Sequence, residues 1–456
     1  MSRKVFISFL GTTNYLECRY QKDEVISEPS RFVQEALVKM TCLEWTENDC
    51  IFIFCTSKDS IGNKGSKEFN WEDNGQDAAT TYIEKEGLCH RLEKLKEKEG
   101  LKAQIKQIDI KSGFSEEEVW DIFNTVTKVL SPGDEIYFDI THAFRSIPLF
   151  ALTLFNYSKF LLGTQLCSIM YGAVEKLGPL YQVKAMPVEQ RIAPIIDMTN
   201  IARLQEYNQA ASELSNFGKT KSIGHAIGTA QDQVIKKLIK AINQLEEYIS
   251  TINLREIKKG RFIHEFRSNY KCAKKSRLLN TPLQNILDKL DEETRDFIDD
   301  DSFRNIEVAI NWTIKHDMIM QAFPLAAEYL KYRLADEYKT YQIDVDDKPF
   351  REMIGALLGM KDENFSNPTS WTGDLAKNPS IAKLLSEEKQ IIMLRDLHLY
   401  DPIKNARNSL AHANGDYTYE KLKKLFPDII RCLEFINPEG YSEYPSSIEI
   451  KKSINQ

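Results

Sequence analysis

The six-residue stretch RNSLAH, from Arg407 to His412, carries side chains suited to chemistry on a phosphate. Arg407 keeps its positive charge at physiological pH, so its guanidinium can bind a phosphate or stabilise a pentacovalent phosphorane. A histidine side chain titrates near neutral pH, so His412 can move a proton or donate a hydrogen bond. Asn408, four residues before His412 and on its face of a helix, can orient the imidazole or bind a phosphate oxygen. These are the groups that metal-free cleavage of RNA by its own 2′-hydroxyl requires.

The two charged residues do not share one face of a helix. At about 100° per residue, Arg407 and His412 point about 140° apart. One copy of the set is sparse for RNA cleavage, whereas two copies facing each other across a two-fold axis would bring two arginines and two histidines to one phosphate. Taken in isolation, the string favours the alternative of a capping arginine and a buried histidine, because an R-x4-H spacing also arises by chance.

Length and composition limit the classes of protein to which the chain can belong. The 456 residues are 42% hydrophobic and 28% charged, which is typical of a soluble protein with two or three domains. The net charge of −7 provides no general attraction to nucleic acid, so phosphate binding must come from local sites. The apolar window at 146–158 is too short to span a bilayer, and residues 1–15 lack the features of a secretory signal. We therefore expect a cytoplasmic protein that makes no contact with a membrane.

The chain changes its pattern near residue 190. Residues 1–190 alternate short β-rich runs with helical spacing, which predicts an α/β domain with a mostly parallel, three-layer sheet. Residues 178–188 predict a last strand or hairpin arm of this sheet. Beyond it, helical patterns dominate, so we predict a helical linker region at 191–250 and an all-α domain at 251–456.

Polar residues cluster where strands of the predicted sheet end. The first strand runs into LGTTNY, which contributes Gly11, Thr12, Thr13, Asn14 and Tyr15, and Ser57 follows the second strand. A later strand end, FDITHAFRSIP, contributes Asp139, Thr141, His142 and Arg145. Ligands of such sheets bind at the carboxyl ends of the strands, and an arginine at a helix N-terminus can meet a phosphate. The alternative is ordinary turns and a local capping network.

The missing motifs narrow the kind of ligand. No Walker lysine follows the glycines and no GxGxxG is present, which argues against an NTPase or a dehydrogenase. The strand-end residues favour a regulatory ligand that carries phosphates. A basic segment with interleaved aromatic residues, at 254–276, predicts either a solvated helix face or a stripe that guides RNA.

Together these motifs resemble one protein family. ARNSLAHAN, late in a helical domain, resembles the R-x4-H motif of HEPN ribonucleases, including the polar residue after the arginine. LGTTNY and FDITHAFRSIPL resemble the ligand loops of CARF domains, the Rossmann-like sensors of type III CRISPR systems. The order of the two, CARF then HEPN, covers almost the whole chain.

The resemblance implies a function and its residues. A cyclic oligoadenylate, with cyclic tetra-adenylate as the expected ring, would bind the CARF domains of a homodimer or higher even oligomer. It would activate cleavage of single-stranded RNA by Arg407, Asn408 and His412, with no metal and no catalytic cofactor. The strand-end residues named above would line the sensor pocket, and Glu328 would support the catalytic site. Some CARF domains also degrade their activator, for which Thr12, Thr13 and His142 would be the candidates.

Two alternatives remain open on the sequence. In the first, the sensor's helical half binds a partner or DNA without cutting RNA, although no recognition helix with a basic N-terminal end is evident. In the second, a toxin-like HEPN nuclease responds to a different nucleotide.

Overall fold

The structure, a computed structural model, has two compact units, Met1–Arg203 and Leu204–Gln456. The residues that it describes are 2–13, 15–57, 64–72, 86–142, 147–228, 232–341, 347–412 and 417–438. The boundary between the units differs from the predicted organisation, because the region expected to be a linker contributes helices to the core of the second unit.

The first unit alternates strands and helices along the chain. Its strands are β1 Lys4–Leu10, β2 Arg19–Lys22, β3 Val25–Ile26, β4 Cys50–Thr56, β5 Gln104–Ile110, β6 Glu135–Asp139, β7 Gln165–Gly172 and β8 Ile192–Asp197. Its helices are α1 Val33–Cys42, α2 Leu88–Glu99, α3 Glu116–Val129, α4 Ile147–Leu162, α5 Leu180–Ala185 and α6 Thr199–Ala202. A π-helical turn, Lys67–Trp71, lies between β4 and α2.

These strands form one eight-stranded sheet in the order β3-β2-β8-β7-β6-β1-β4-β5. The five strands from β7 to β5 are parallel, and β8 runs antiparallel to β7. Separate apolar clusters cover the two faces of the sheet, which explains why β1 and β4 are almost continuously apolar. The predicted α/β class is therefore confirmed.

The order of the strands reverses direction beside β1. From β1 the chain proceeds to β4 and β5 on one side, and later to β6 and β7 on the other. The crevice at the carboxyl ends of β1 and β6 is therefore the topological switch point, where open α/β sheets bind ligands. Ser8 of β1 lies opposite Asp139 of β6 in the register of this pair.

Two details of the sheet differ from the sequence prediction. Residues 178–188 do not form a strand: helix α5 occupies their centre, with Pro179 as its N-cap residue. The prolines that flank this segment favour a short isolated turn of helix over a paired strand. The strand that pairs antiparallel with β7 is instead β8. It was not predicted, because Pro194 interrupts the pattern expected of a strand.

The second unit is helical throughout its described residues. Its helices are α7 Leu204–Phe217, α8 Lys221–Ile227, α9 Gln233–Ser250, α10 Leu254–Lys259, α11 Arg261–Lys275, α12 Thr281–Glu293, α13 Phe303–Lys315, α14 Ile319–Glu337, α15 Lys348–Leu358, α16 Asp362–Phe365, α17 Gly373–Lys377, α18 Pro379–Ser386, α19 Lys389–Asp396, α20 Asp401–His412, α21 Tyr419–Lys423 and α22 Phe426–Ile436. The predicted all-α half is thus confirmed. Among the residues described, no helix is both long and apolar enough to cross a membrane.

Helices α13 and α14 form the centre of the second unit. All ten residues from Asn305 to Ile314 are buried, and α14 packs against α13, α15, α20 and α22. Helix α14 therefore presents side chains to several neighbours at once. Its position fixes where the charged residues of α20 lie.

Candidate functional site

Helix α20 presents the predicted catalytic residues at the surface of the second unit. It buries Ile403 and Ala406, and it packs against α14 and α22. Arg407 and Asn408 are half-buried beside this apolar face, and His412 is exposed at the last residue of the helix. The exposed imidazole does not match the alternative of a buried histidine. All three side chains can meet a ligand that comes from solvent.

Arg407 is oriented by two neighbours. Its Nη1 atom donates to Oδ1 of Asn408 at 3.2 Å, and its Nη2 atom donates to Oε1 of Glu328 at 3.4 Å. An arginine has five N–H donors, so these bonds leave others for a phosphate. The guanidinium side chain is 42% exposed, which keeps it within reach of a substrate.

A buried lysine holds the carboxylate that faces Arg407. The Nζ atom of Lys331, whose side chain is only 4% exposed, lies 2.7 Å from Glu328 and 3.0 Å from Glu352. Because Lys331 is closer to Glu328 than Arg407 is, Glu328 can orient the arginine without cancelling its charge. Burial, followed by the negative charge of Glu328, raises the pKa of Tyr400, so this neighbouring phenol stays protonated.

In the first unit, a buried carboxylate ties the strand ends at the switch point together. Oδ2 of Asp139 accepts a hydrogen bond from the Ser8 hydroxyl at 2.7 Å. Oδ1 of Asp139 accepts from the backbone N–H and the hydroxyl of Thr141, at 2.9 and 2.6 Å. The Thr141 oxygen in turn accepts from the N–H of Gly172 at 2.8 Å. Burial raises the pKa of Asp139, against the lowering effect of its hydrogen bonds. These contacts hold the ends of β1, β6 and β7 together.

The turn after β1 closes on an aromatic pair. The N–H of Gly11 donates to the Tyr15 hydroxyl at 2.8 Å, and the Tyr15 ring stacks on His142 with centroids 3.9 Å apart. A Cβ atom on Gly11 would lie 2.7 Å from that hydroxyl, so only glycine lets the turn approach this closely. Residues from the ends of β1 and β6 thus meet at the switch point.

His142 has an unused hydrogen-bonding group. Its Nε2 atom is buried and has no hydrogen-bond partner among the residues that the structure describes. Burial lowers the pKa of His142 to about 4, so the ring is neutral near pH 7. A neutral imidazole with an unpaired nitrogen can form a hydrogen bond with a bound ligand.

The sequence prediction missed the residue that fixes the first turn. Asn70, on the π-helical turn Lys67–Trp71, donates to the carbonyls of Gly11 and Thr13 at 2.7 and 3.1 Å. Its Oδ1 atom accepts from Nη2 of Arg31 at 2.7 Å. No motif in the sequence marks Asn70, because it reaches the turn across more than fifty residues.

The remaining predicted sensor residues divide into two groups. Thr12 is exposed at the turn, whereas Ser57 donates to Oδ1 of Asp109 at 2.9 Å, on the side of β4 that faces β5. Asn14 and Arg145 lie outside the described residues.

The basic segment at 254–276 resembles a solvated helix face more than a stripe that guides RNA. Its aromatic residues Phe262, Phe266 and Tyr270 are buried in the core. Several of its basic side chains contact acidic ones: Lys258 with Asp301, Lys259 with Glu256, His264 with Asp299, Arg267 with Asp291 and Lys274 with Asp288.

The two units carry different kinds of candidate site. An α/β unit carries a candidate ligand site at its switch point, and a helical unit carries an exposed arginine, asparagine and histidine on one helix. In the described part of the chain, no three His, Cys, Asp or Glu side chains group closely enough to hold a metal ion.

The chain is similar to proteins that are already known. No protein-family model matches the sequence. A CRISPR-associated protein of Methanocaldococcus jannaschii is 24% identical over 366 residues, which is 76% of this chain and 49% of the relative. The chain therefore spans about half the length of this curated relative. The similarity confirms the resemblance to CRISPR-associated proteins. A solved structure, Enterococcus italicus Csm6 bound to cyclic hexa-2′-fluoro-hexa-dAMP, aligns with 100% of this chain and 99% of its own at 12% identity and a TM-score of 0.45.

Proposed function

We propose that the chain is a ribonuclease of CRISPR defence that a cyclic oligoadenylate activates. The α/β unit binds the ring and the helical unit cleaves single-stranded RNA. The observation that carries this proposal is the surface arrangement on α20, where Arg407 and Asn408 are hydrogen-bonded and His412 is exposed on the same helix. The similarity to a CRISPR-associated protein supports the biological setting.

The chemistry follows from the three side chains. The 2′-oxygen of a ribose attacks the adjacent phosphorus while the bond from phosphorus to the 5′-oxygen breaks, which leaves a 2′,3′-cyclic phosphate and a 5′-hydroxyl. Arg407 stabilises the negative charge of the phosphorane, and Asn408 holds a phosphate oxygen. His412 transfers a proton, either from the attacking hydroxyl or to the leaving oxygen. No step of this reaction calls for a metal ion.

Two copies of the chain complete the site. A single α20 offers one arginine and one histidine, which diverge on the helix. A two-fold axis beside this helix would place a second pair at the same phosphate, with one histidine as base and the other as acid. We therefore propose a homodimer, or a higher even oligomer, as the active form.

The sensor site suits a ring that carries adenines and phosphates. The Gly11 turn offers the exposed hydroxyl of Thr12, while Tyr15 and His142 offer flat rings and an unused ring nitrogen. A symmetric ring matches a symmetric pair of sensor units. Activation is then a population shift, in which the ring favours the dimer geometry that aligns the two α20 helices.

We expect His142→Ala to weaken the binding of the cyclic oligoadenylate by about tenfold, because the variant loses a hydrogen-bonding group and the imidazole that stacks on Tyr15. Isothermal titration calorimetry with cyclic tetra-adenylate measures this change. Because burial lowers the pKa of His142 to about 4, its imidazole stays neutral from pH 6 to 8 in the unaltered protein. The contribution of this imidazole to binding is therefore constant over that range. His90→Ala, which removes an exposed histidine of α2, is the matched control. Equal affinities for the two variants would move the pocket elsewhere.

One experiment separates this proposal from its alternatives. Purified protein is incubated with labelled single-stranded RNA in EDTA, alone and with cyclic tri-, tetra- or hexa-adenylate. We expect cleavage only with a ring, most strongly with the tetra-adenylate. Ring binding without cleavage would favour a sensor whose helical unit binds a partner or DNA. Cleavage that no ring stimulates would favour a toxin-like nuclease.

A further inference from the structure

A cavity of about 380 Å³ opens beside Glu328 in the helical unit. Its walls come from the turn before α10 and the first residues of α10, from α14 and from α15. The side chains that matter here are Ile252, Leu254, Arg255, Glu328, Tyr332 and Arg351. Leu254 and Arg255 lie in the basic segment at 254–276, and Glu328 was a candidate through the family resemblance. The cavity and the α20 site share Glu328, which hydrogen-bonds Arg407 at 3.4 Å.

The charges around this cavity favour an anion. Arg255 is exposed at its edge, and the guanidinium carbon of Arg351 lies 5.5 Å from the ring centroid of Tyr332. Among the described lining residues, Glu328 is the one carboxylate, and Lys331 holds it at 2.7 Å. Two arginines therefore line a cavity with one carboxylate, and guanidinium groups, which carry five N–H donors each, bind phosphates well.

The other walls favour a flat, partly apolar group. Ile252 and Leu254 provide an aliphatic surface. Tyr332 also lines the cavity, but it is largely buried and its ring packs against Phe303 and Arg351. Ligand pockets of small molecules measure roughly 300–1,000 Å³, so this cavity suits a ligand the size of one nucleotide. A phosphate with a flat base attached matches a lining of arginines and apolar side chains.

The start of the basic segment at 254–276 lies at this cavity. Arg267 and Lys274 of α11 pair with Asp291 and Asp288 of α12. Arg255, at the start of the segment, lines the cavity. Of the stripe considered from the sequence, this end is the part that lies beside the α20 site.

We propose that this cavity binds one nucleotide of the RNA substrate beside the scissile phosphate, with Arg255 and Arg351 on its backbone phosphate. The proposal rests on the function proposed above. The cavity would hold the strand in register while Arg407 acts on the neighbouring linkage. Because arginines contact phosphate and apolar groups contact any base, the cavity would tolerate all four bases.

The test measures RNA binding separately from cleavage. In a His412→Ala background with cyclic tetra-adenylate and EDTA, the dissociation constant of a fluorescent single-stranded RNA is measured for added Arg255→Ala and for added Arg351→Ala. We expect each to weaken binding by about tenfold and to lower the salt dependence by about one phosphate contact. In the active background, each should raise KM more than it lowers kcat. Arg351→Lys keeps the charge and should recover part of the affinity, which distinguishes a binding role from misfolding.

Lys271→Ala is the matched control, because Lys271 is an exposed cation on α11 that does not line the cavity. Dissociation constants and KM values for both arginine variants equal to those of this control would overturn the proposal. A failure of the cavity proposal can be distinguished from a failure of the proposed function. If the unaltered protein cleaves RNA and the arginine variants match the control, the cavity proposal alone is wrong. If the unaltered protein does not cleave RNA but the variants lose RNA binding, the proposed catalytic function is wrong and the cavity stands as an RNA site.

Discussion

His412→Ala is expected to lower RNA cleavage by about a thousandfold while leaving the binding of cyclic oligoadenylate unchanged. Proton transfer by a positioned histidine contributes on that order to such reactions, and in a symmetric dimer the variant removes both imidazoles at once. The ring should bind as before, because the residues assigned to its pocket belong to the other unit. Single-turnover cleavage of a labelled RNA and calorimetry with cyclic tetra-adenylate measure the two properties.

His398→Ala is the control for this variant. His398 is also exposed, just before α20, where its ring contacts Asp401 at 3.1 Å. It should cleave RNA at nearly the unaltered rate. Full activity in His412→Ala, or an equal loss in the two variants, would remove His412 from the catalytic set.

Arg407→Ala is expected to lower cleavage by several hundredfold, the usual loss when one donor to a developing negative charge is removed. Arg407→Lys keeps the charge but not the planar fork that reaches Asn408 and Glu328, so it should recover only part of the rate. The effect should appear mainly in kcat, because the charge that the guanidinium meets develops in the transition state. Steady-state kinetics of the two variants on one RNA give this comparison.

The control for the arginine is Arg431→Ala on α22. Arg431 is exposed and pairs with Asp428 at 3.4 Å. It should leave the kinetics unchanged. If Arg407→Ala raised KM and kept kcat, Arg407 would bind the substrate without stabilising the transition state.

The sequence predicts which loops meet at the switch point, because the order of the parallel strands determines which strand ends are neighbours. LGTTNY and FDITHAFRSIP follow two apolar strands, and parallel strands place their carboxyl ends at one edge. The structure brings Gly11, Tyr15 and His142 together at that edge. The helical pattern likewise predicts that α20 carries Arg407 and His412.

The partner that fixes the first turn could not be predicted, because it depends on a contact across a long stretch of chain. Asn70 reaches that turn from the π-helical turn Lys67–Trp71, and an asparagine there looks ordinary in sequence. Lys331, by contrast, lies three residues after Glu328 on α14, a spacing at which opposite charges on a helix meet. Strand β8 was not predicted for a different reason: it contains Pro194, a residue that is unusual inside a strand.

The chemistry of the product ends tests the central claim most directly. RNA cut by the unaltered protein in EDTA with cyclic tetra-adenylate is analysed by mass spectrometry, beside a strand of the same sequence with 2′-deoxy sugars. Attack by the 2′-hydroxyl predicts fragments with a 2′,3′-cyclic phosphate and a 5′-hydroxyl, and no cleavage of the deoxy strand. Fragments with a 5′-phosphate, or cleavage of the deoxy strand, would contradict the assignment of Arg407, Asn408 and His412.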